Sequence, residues 1–189
     1  MRLIVFGPHG SGKGIQAKKI STHYKIPYIS TGEVIRDNIK HDTELGKHAR
    51  KYVDNYLYVP DELVNKIVED RIHHDDCKKG FVLDGYPRTL RQIVFLDKML
   101  AKMGVKIDAV INLKVSDEEL IKRLLKRGKQ EGRKEDLSEK GIKRRMEEYN
   151  TKALHVLDYY KKKTIDINGE QTADKVFQDI KKLLDKMIS

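Results

Sequence analysis

The residues FGPHGSGKGI at positions 6–15 have the spacing of a loop that binds phosphate groups. Gly7, Gly12 and Lys13 match the pattern G-x-x-x-x-G-K, in which backbone N–H groups surround a phosphate and the lysine adds a positive charge. The pattern usually continues with Ser or Thr, whose hydroxyl binds Mg²⁺, but this chain has Gly14 and Ile15 there. We therefore expect the loop to bind a nucleotide phosphate, and a metal to be held by substrate oxygens, water and a carboxylate elsewhere.

A carboxylate and several arginines are spaced to complete such a site. Asp84 ends an apolar run, and Arg88 follows four residues later with a guanidinium that suits bidentate phosphate binding. We expect Asp84 to face the phosphate loop; the alternative is that it only caps the turn before Pro87. Arg123 and Arg127 are four residues apart, so a helix would present both on the same face.

The elements that must position these groups mostly alternate between strand and helix. Short apolar runs with branched residues predict buried strands at 2–6, 26–29, 80–85, 108–115 and 164–168. Apolar residues at helical spacing predict helices at 13–24, 33–41, 61–74, 89–104, 116–127, 138–160 and 172–188. Ser116 and Glu119 suggest a capping box for the fifth of these, and a polar loop is expected at 128–137. This alternation indicates an α/β fold with a parallel sheet covered on both faces, and ligands at the carboxyl ends of its strands.

Composition narrows the class of protein further. The chain has 189 residues, 39% of them hydrophobic, which is enough to build the core of one compact domain. Its formal net charge of +10 favours anionic partners, namely phosphorylated small molecules, nucleic acid or an acidic membrane. Cys77 is the only cysteine, so an internal disulfide and a multi-thiolate zinc site are excluded, and we expect a cytoplasmic protein without zinc. No apolar stretch is long enough to cross a bilayer, so we expect no membrane partner.

Six motifs, taken together and in order, give the chain a family resemblance. They are GPHGSGKG (7–14), YISTGEVIR (28–36), YVPDELV (58–64), GFVLDGYPRTLRQ (80–92), RLLKRG (123–128) and GRKED (132–136). This set resembles adenylate kinase, and the likeness extends from residue 3 to about residue 183. The resemblance implies a P-loop fold with three layers, α/β/α, around a central parallel five-stranded sheet. It also implies one kinase domain over 1–189, with a core (1–29, 60–127 and 138–189), a mobile AMP-binding segment (30–59) and a short mobile lid (128–137).

On the ATP side, the resemblance assigns a set of contacts. The residues expected to bind ATP are Gly10, Ser11, Gly12, Lys13, Gly14, Ile15, Arg123, Arg127 and Gln171. The family usually has proline at position 9 and threonine at position 15, whereas this chain has His9 and Ile15. Ile15 therefore lacks a hydroxyl that would contact a phosphate, although its backbone N–H remains. His9 either adds a hydrogen bond or a charge near phosphate, or simply fills space.

On the AMP side, the resemblance assigns a second set. The residues expected to bind AMP are Thr31, Gly32, Arg36, Leu57, Tyr58, Val59, Gly85, Arg88, Gln92, Arg133 and Arg145. Related uridylate–cytidylate kinases typically have alanine in place of Thr31 and asparagine in place of Thr89, so both threonines favour AMP over a pyrimidine nucleotide. Thr31 or its neighbour Ser30 is also a candidate N-cap for the next helix.

The implied reaction is reversible transfer of the ATP γ-phosphoryl group to AMP, which yields two ADP and requires Mg²⁺. The residues expected to act in catalysis are Lys13, Arg88, Arg127, Arg133 and Arg145, with Asp84 binding Mg²⁺ through water. Spacing to Tyr149 favours Arg145, and Arg144 remains the alternative. The acceptor is an ionised phosphate oxygen, so no general base is expected, and the reaction depends on alignment and charge stabilisation.

The expected partners are ATP, AMP and ADP, bound by a monomer. A nucleotide-dependent RNA-binding factor is the alternative from a different class, because the net charge of +10 would suit it. The chain lacks a combined aromatic and basic pattern for RNA and has no tryptophan, so we expect no requirement for nucleic acid.

Overall fold

The computed structural model describes residues 1–55, 57, 59–132 and 136–188. The strands in this part of the chain are β1 (Arg2–Phe6), β2 (Tyr28–Ser30), β3 (Phe81–Asp84), β4 (Ala109–Lys114) and β5 (Thr164–Asn168). The helices are α1 (Lys13–Tyr24), α2 (Thr31–Lys40), α3 (Glu44–Val53), α4 (Asp61–Ile72), α5 (Leu90–Lys102), α6 (Asp117–Glu131), α7 (Glu139–Tyr159) and α8 (Ala173–Ile188). None of these helices is both long enough and apolar enough to span a membrane.

The five strands form one parallel sheet in the order β2-β3-β1-β4-β5. β1 lies at its centre, with Val5 opposite Asp84 of β3 and Phe6 opposite Asn112 of β4. Parallel strands place their carboxyl ends at one edge, so the glycine loop after β1 and the end of β3 lie side by side. The predicted neighbourhood of Asp84 and the phosphate loop is confirmed.

Helices cover both faces of the sheet, and β1 shows why. Its alternate residues belong to different apolar clusters: Ile4 packs in one, whereas Leu3 and Val5 pack in the other. Buried residues of α4, α5 and α7 complete the first cluster, and those of α1 and α8 complete the second. A strand buried on both faces needs a continuous apolar sequence, which RLIVF provides. The predicted three-layer α/β/α fold is confirmed.

The sequence patterns did not predict α3. It packs against α2 as a short helical hairpin, and Thr43 caps it by accepting a hydrogen bond from the N–H of Gly46 at 3.1 Å. A Cβ atom at Gly46 would overlap the backbone carbonyl of Asn38, so only glycine permits this approach of the two helices. The segment is rich in charge, but Leu45, Ala49, Tyr52 and Val53 have helical spacing, so the sequence did contain a signal for this helix.

The start of α6 differs from the prediction. Ser116 is the N-cap residue, but its side chain makes no capping hydrogen bond. Its backbone N–H instead donates to Glu170 Oε1 at 2.6 Å, and Glu119 accepts from Arg123 Nε at 2.7 Å. The predicted capping box is therefore wrong, because both of its members have partners elsewhere.

The end of α6 also differs, since the helix continues through Gly128 to Glu131 instead of ending near Arg127. A Cβ atom at Gly128 would lie 2.7 Å from the carbonyl oxygen of Asp136, so this glycine allows close packing within a helix. Gly132 ends the helix with a φ of +65°, a left-handed conformation that favours glycine. The predicted loop at 128–137 is thus helical in its first four positions.

Candidate active site

The loop between β1 and α1 has the backbone of a phosphate-binding loop. Gly10 and Gly12 have φ angles of +86° and +89°, which glycine adopts without steric cost. Gly12 is the N-cap of α1 and offers no side chain to its first N–H groups. Those N–H groups remain available to an anion, and the positive end of the helix dipole favours one.

Lys13 folds back over this loop. Its Nζ donates to the carbonyl oxygen of Pro8 at 3.3 Å. Burial lowers the pKa of Lys13 to about 8, the carboxylate of Asp84 acts in the opposite direction, and neighbouring arginines lower it further. The lysine is therefore charged at pH 7 but close to titration, because the carboxylate of Asp84 offsets only part of the effect of burial and of the surrounding positive charges.

His9 lies among these same cations. Burial, and then the positive charges of Lys13, Arg88, Arg145 and Arg127, hold the pKa of His9 well below its usual value. The imidazole is neutral at pH 7 and lines the same cleft as the lysine. It therefore lies where a phosphate would bind, and the sequence left this role open.

Asp84 and Tyr28 lie close to Gly14, where the loop departs from the usual pattern. A Cβ atom at Gly14 would lie 3.3 Å from Asp84 Oδ2, a tight contact, and 3.6 Å from the hydroxyl of Tyr28, an ordinary one. Tyr28 donates to Asp84 Oδ2 at 3.0 Å, and burial followed by the charge of Asp84 raises the pKa of this tyrosine. Sequence reasoning missed Tyr28, which lies on β2 and reaches Asp84 only through the packing of the sheet.

The donor set around the loop fits a metal held mainly by the nucleotide and water. Asp84 Oδ1 is buried and has no hydrogen-bond partner among the described residues, and the same is true of Ser11 Oγ and Gln16 Oε1. Buried polar atoms are usually satisfied, so these orphaned oxygens indicate a missing partner. No cluster of three or more His, Cys, Asp or Glu side chains that could hold a metal occurs within the described residues.

The residues after β3 form the second side of the site. Gly85 has a φ of +78°, and a Cβ atom there would lie 2.9 Å from Arg88 Nη2. Its carbonyl oxygen accepts from Arg88 Nε at 2.7 Å and from Thr31 Oγ1 at 3.2 Å. Ser30, not Thr31, caps α2 by accepting from the N–H of Glu33 at 3.3 Å. The hydroxyl of Thr31 is therefore directed to the glycine turn.

A buried hydrogen-bond network supports this turn from behind. Gln92 Oε1 accepts from the backbone N–H of Arg88 at 2.7 Å, and Gln92 Nε2 donates to Asp61 Oδ1 at 2.7 Å. Asp61 Oδ2 accepts from Thr89 Oγ1 at 2.7 Å. Sequence reasoning missed Asp61, because its partners lie about 30 positions further along the chain.

Two predicted arginines meet at one buried carboxylate. Asp136 is fully buried; its Oδ2 accepts from Arg127 Nε and its Oδ1 from Arg145 Nη1, both at 2.7 Å. Arg144 is exposed, whereas Arg145 lines the cleft. Arg123 lies nearby and donates from Nη1 to the carbonyl oxygen of Gly169 at 3.0 Å. Asp136 ends the motif GRKED, but no spacing pattern pairs it with both arginines.

These elements enclose a cleft of about 720 Å³ at the carboxyl edge of the sheet. The predicted site residues that line it are Gly10, Ser11, Gly12, Lys13, Gly14, Ile15, Gly32, Arg36, Asp84, Gly85, Arg88, Arg123, Arg127, Arg145 and Gln171. Four predicted AMP contacts among the described residues do not line it, namely Thr31, Leu57, Val59 and Gln92. Tyr58 and Arg133 lie outside the described residues.

The cleft is strongly cationic. Its described lining holds eight lysine and arginine side chains against two carboxylates, Glu33 and Asp84. The difference of six positive charges is more than half of the formal net charge of +10. Clefts with one sign of charge concentrate ligands of the opposite sign, so the site suits a polyanion such as a nucleotide with several phosphates.

Comparison with known proteins agrees with this geometry. The sequence profile of the adenylate kinase family matches residues 5–165. The adenylate kinase of Thermoanaerobacter sp. (strain X514) is 40% identical over 212 aligned positions, which cover 97% of this chain and 98% of that protein. The adenylate kinase of Leptospira biflexa is 45% identical over 183 positions (96% and 98% covered), and that of Archaeoglobus fulgidus is 39% identical over 217 positions (100% of both). The predicted resemblance is confirmed, and the chain belongs to the adenylate kinase family.

Proposed function

We propose that this chain is an adenylate kinase that reversibly transfers the γ-phosphoryl group of ATP to AMP and so balances the adenine nucleotides. The observation that carries the proposal is the cationic cleft, which is lined by Lys13, Arg127 and Arg145 from three different helices and by Arg88 from the turn after β3. Two nucleotides with four phosphate groups between them match that charge. A phosphoryl group passed between them would travel through the middle of this cluster.

On the donor side, the glycine loop and α6 would hold ATP. The N–H groups at the start of α1 would bind its phosphates, and Lys13 would move from the carbonyl of Pro8 to a phosphate oxygen. Arg123 and Gln171 also line the cleft, and the ATP base would lie against them. Ile15 lines the cleft with 55% of its surface exposed, so it contributes its backbone N–H but no hydroxyl.

On the acceptor side, α2 and the turn after β3 would hold AMP. Arg36 and Arg88 line the cleft and would bind its phosphate. Thr31 and Gln92 lie behind the lining, hydrogen-bonded to Gly85 and Arg88, and would contact the base once it enters. We extend this pocket to the backbone at 57–59, as the family resemblance implies.

Catalysis would rest on alignment and charge. The attacking atom is an oxygen of the AMP phosphate, already ionised at neutral pH, so no side chain has to remove a proton. Lys13 and the arginines, Arg133 included, would stabilise the negative charge that spreads over the transferred group, and loss of one such donor commonly lowers the rate about 10²–10³-fold.

Magnesium fits this site. When bound with the nucleotide, Mg²⁺ supplies positive charge to the phosphate oxygens. Asp84, whose buried Oδ1 lacks a hydrogen-bond partner among the described residues, would hold it through water. The chain itself offers no side-chain oxygen at position 14, because that residue is glycine.

Water would compete with AMP as the acceptor, so the cleft should close before transfer. We propose that the segment 30–59, which contains α2 and α3, moves over AMP and that the lid at 128–137 moves over ATP, each attached to the core formed by the remaining residues. Gly132, at the left-handed end of α6, is the better hinge, since Gly128 is packed inside the helix. We also infer that the protein acts as a monomer in the cytoplasm. We expect it to need neither nucleic acid nor a membrane, because the cleft accounts for more than half of the net positive charge.

The proposal is tested by measuring ADP formation from Mg·ATP with AMP, CMP, UMP or GMP, together with an ATP-only control. Fast turnover with AMP, little with the others and almost none with ATP alone is the expected result. Preference for CMP or UMP would replace the proposal with a pyrimidine nucleotide kinase on the same fold. Binding of ATP without transfer to any acceptor would refute it.

A further inference from the structure

Asp61, in the first turn of α4, accepts hydrogen bonds from two side chains of the segment after β3. Its Oδ1 accepts from Gln92 Nε2 and its Oδ2 from Thr89 Oγ1, both at 2.7 Å. Gln92 Oε1 accepts from the backbone N–H of Arg88, also at 2.7 Å. Only 3% of the surface of Gln92 is exposed, so these partners, rather than water, orient its amide.

The same partners allow only one orientation of that amide. A carboxylate accepts hydrogen bonds, and a backbone N–H donates them. If the Gln92 amide were rotated by half a turn, its NH₂ would face the N–H of Arg88 and its oxygen would face the carboxylate of Asp61. Both hydrogen bonds would become repulsive contacts in a buried place, where unsatisfied polar groups cost most.

Each end of the amide keeps capacity for one more partner, namely a second N–H on Nε2 and a second lone pair on Oε1. Adenine presents a donor at N6 beside an acceptor at N1, whereas guanine presents an acceptor at O6 beside a donor at N1. The two bases therefore require opposite orientations of an amide that faces this edge. Fixing the amide in one orientation would favour one base over the other.

We propose that Asp61 is a specificity-determining positioning residue, which selects an adenine over a guanine acceptor nucleotide by fixing the orientation of Gln92. The inference deepens the proposed function and rests on it, because it takes Gln92 as the group that contacts the acceptor base. Asp61 does not touch the nucleotide in this scheme. It acts through Gln92, and Thr89 keeps the carboxylate in place.

The first test is Asp61→Asn, which preserves volume but replaces an acceptor with a group that also donates, so only the N–H of Arg88 still opposes the reversed orientation of Gln92. We expect kcat/KM for AMP to fall about tenfold, mainly through KM, and the preference for AMP over GMP to fall at least as much. KM for ATP should stay within about twofold. Glu62→Gln is the matched control, because Glu62 lies in the same turn of α4, is exposed, and should leave all three values unchanged.

A double variant separates orientation of Gln92 from simple support of the fold. Asp61→Asn combined with Gln92→Glu exchanges donor and acceptor: the new amide donates to the new carboxylate and still accepts from Thr89, while the carboxylate accepts from the N–H of Arg88. The hydrogen bonds are retained, but position 92 has lost its N–H for the base. We expect a thermal midpoint near that of the wild type, with a KM for AMP still raised about tenfold or more.

The outcomes separate this inference from the proposed function. A wild-type protein that does not phosphorylate AMP overturns the proposed function. An active wild type whose Asp61→Asn variant keeps both its KM for AMP and its preference over GMP overturns the inference alone. Recovery of the wild-type KM for AMP in the double variant would assign Asp61 a purely structural role and would also overturn the inference. The double variant gives this answer even if the single variant does not fold.

Discussion

Asp136→Asn is expected to destabilise the protein measurably, because Asp136 is the shared partner of two arginines. Its side chain is fully buried, with Arg127 Nη2 at 2.6 Å from Oδ2 and Arg145 Nη1 at 2.7 Å from Oδ1. Asparagine has almost the same volume, so the substitution leaves no cavity. It removes the negative charge and turns one acceptor into a donor that faces an arginine.

The magnitude follows from the exposure of the three side chains. Removing one partner of a buried ion pair costs about 3–5 kcal/mol. Arg127 and Arg145 keep 26% and 17% of their side-chain surface exposed, so water can replace part of the lost interaction. We therefore expect a loss of about 2–3 kcal/mol in the free energy of unfolding. For a chain of this size, that corresponds to a decrease in thermal midpoint of about 4–12 °C.

The assay is thermal unfolding of the wild type and the variant, followed by circular dichroism at one protein concentration. Glu139→Gln is the matched control, since Glu139 pairs with Lys143 at 2.8 Å on the surface of α7 and both side chains are more than half exposed. Exposed pairs at this i,i+4 helical spacing contribute about 0.3–0.5 kcal/mol, so the control should melt within about 2 °C of the wild type. An Asp136→Asn protein that melts as the control does would refute the reasoning, because Asp136 would then not hold the two arginines.

Two further predictions concern catalysis. Arg145→Ala should lower kcat about 10²–10³-fold while Arg144→Ala stays near the wild type, because only the first side chain lines the cleft; equal losses in steady-state assays would contradict this. The pKa of Lys13 lies at about 8 in the free protein, below its usual value, so the side chain loses its charge as the pH rises through that range. We therefore expect kcat/KM for ATP to fall above pH 8, while kcat at saturation falls less because bound phosphates restore the charge. A flat kcat/KM profile to about pH 9.5, or one that Lys13→Arg leaves unchanged, would show that titration of this lysine does not limit ATP binding.

Much of the fold could be predicted because local sequence patterns indicate most of its strands and helices. The run RLIVF indicated a strand buried on both faces, and the order of strands and helices indicated a parallel sheet. The errors arose where long-range contacts override local preference. Ser116 and Glu119 have the spacing of a capping box, yet Glu170 and Arg123 take their hydrogen bonds. The family and the phosphotransferase class inferred from the ordered motifs are confirmed by the comparisons.

The positively charged residues of the site could be predicted from the sequence, but the residues that position them mostly could not. Glycine spacing located the phosphate loop, and arginines at helical spacing located the side of the cleft formed by α6. Tyr28, Asp61 and Asp136 were missed, because each acts through a partner that is distant in sequence or carries no spacing pattern. A polar residue that orients another polar residue resembles any surface residue until the chain is folded. The assigned contacts of individual residues with ATP and AMP stay predictions.

The central place of β1 has a consequence for synthesis of the protein. β1 is made early, but its two neighbours in the sheet, β3 and β4, end at Asp84 and Lys114. The apolar run of β1 therefore leaves the ribosome long before a partner strand can cover it, a situation that favours aggregation. Both neighbours of β1 are present only once the chain has been made as far as Lys114, so until then the sheet cannot close around this strand.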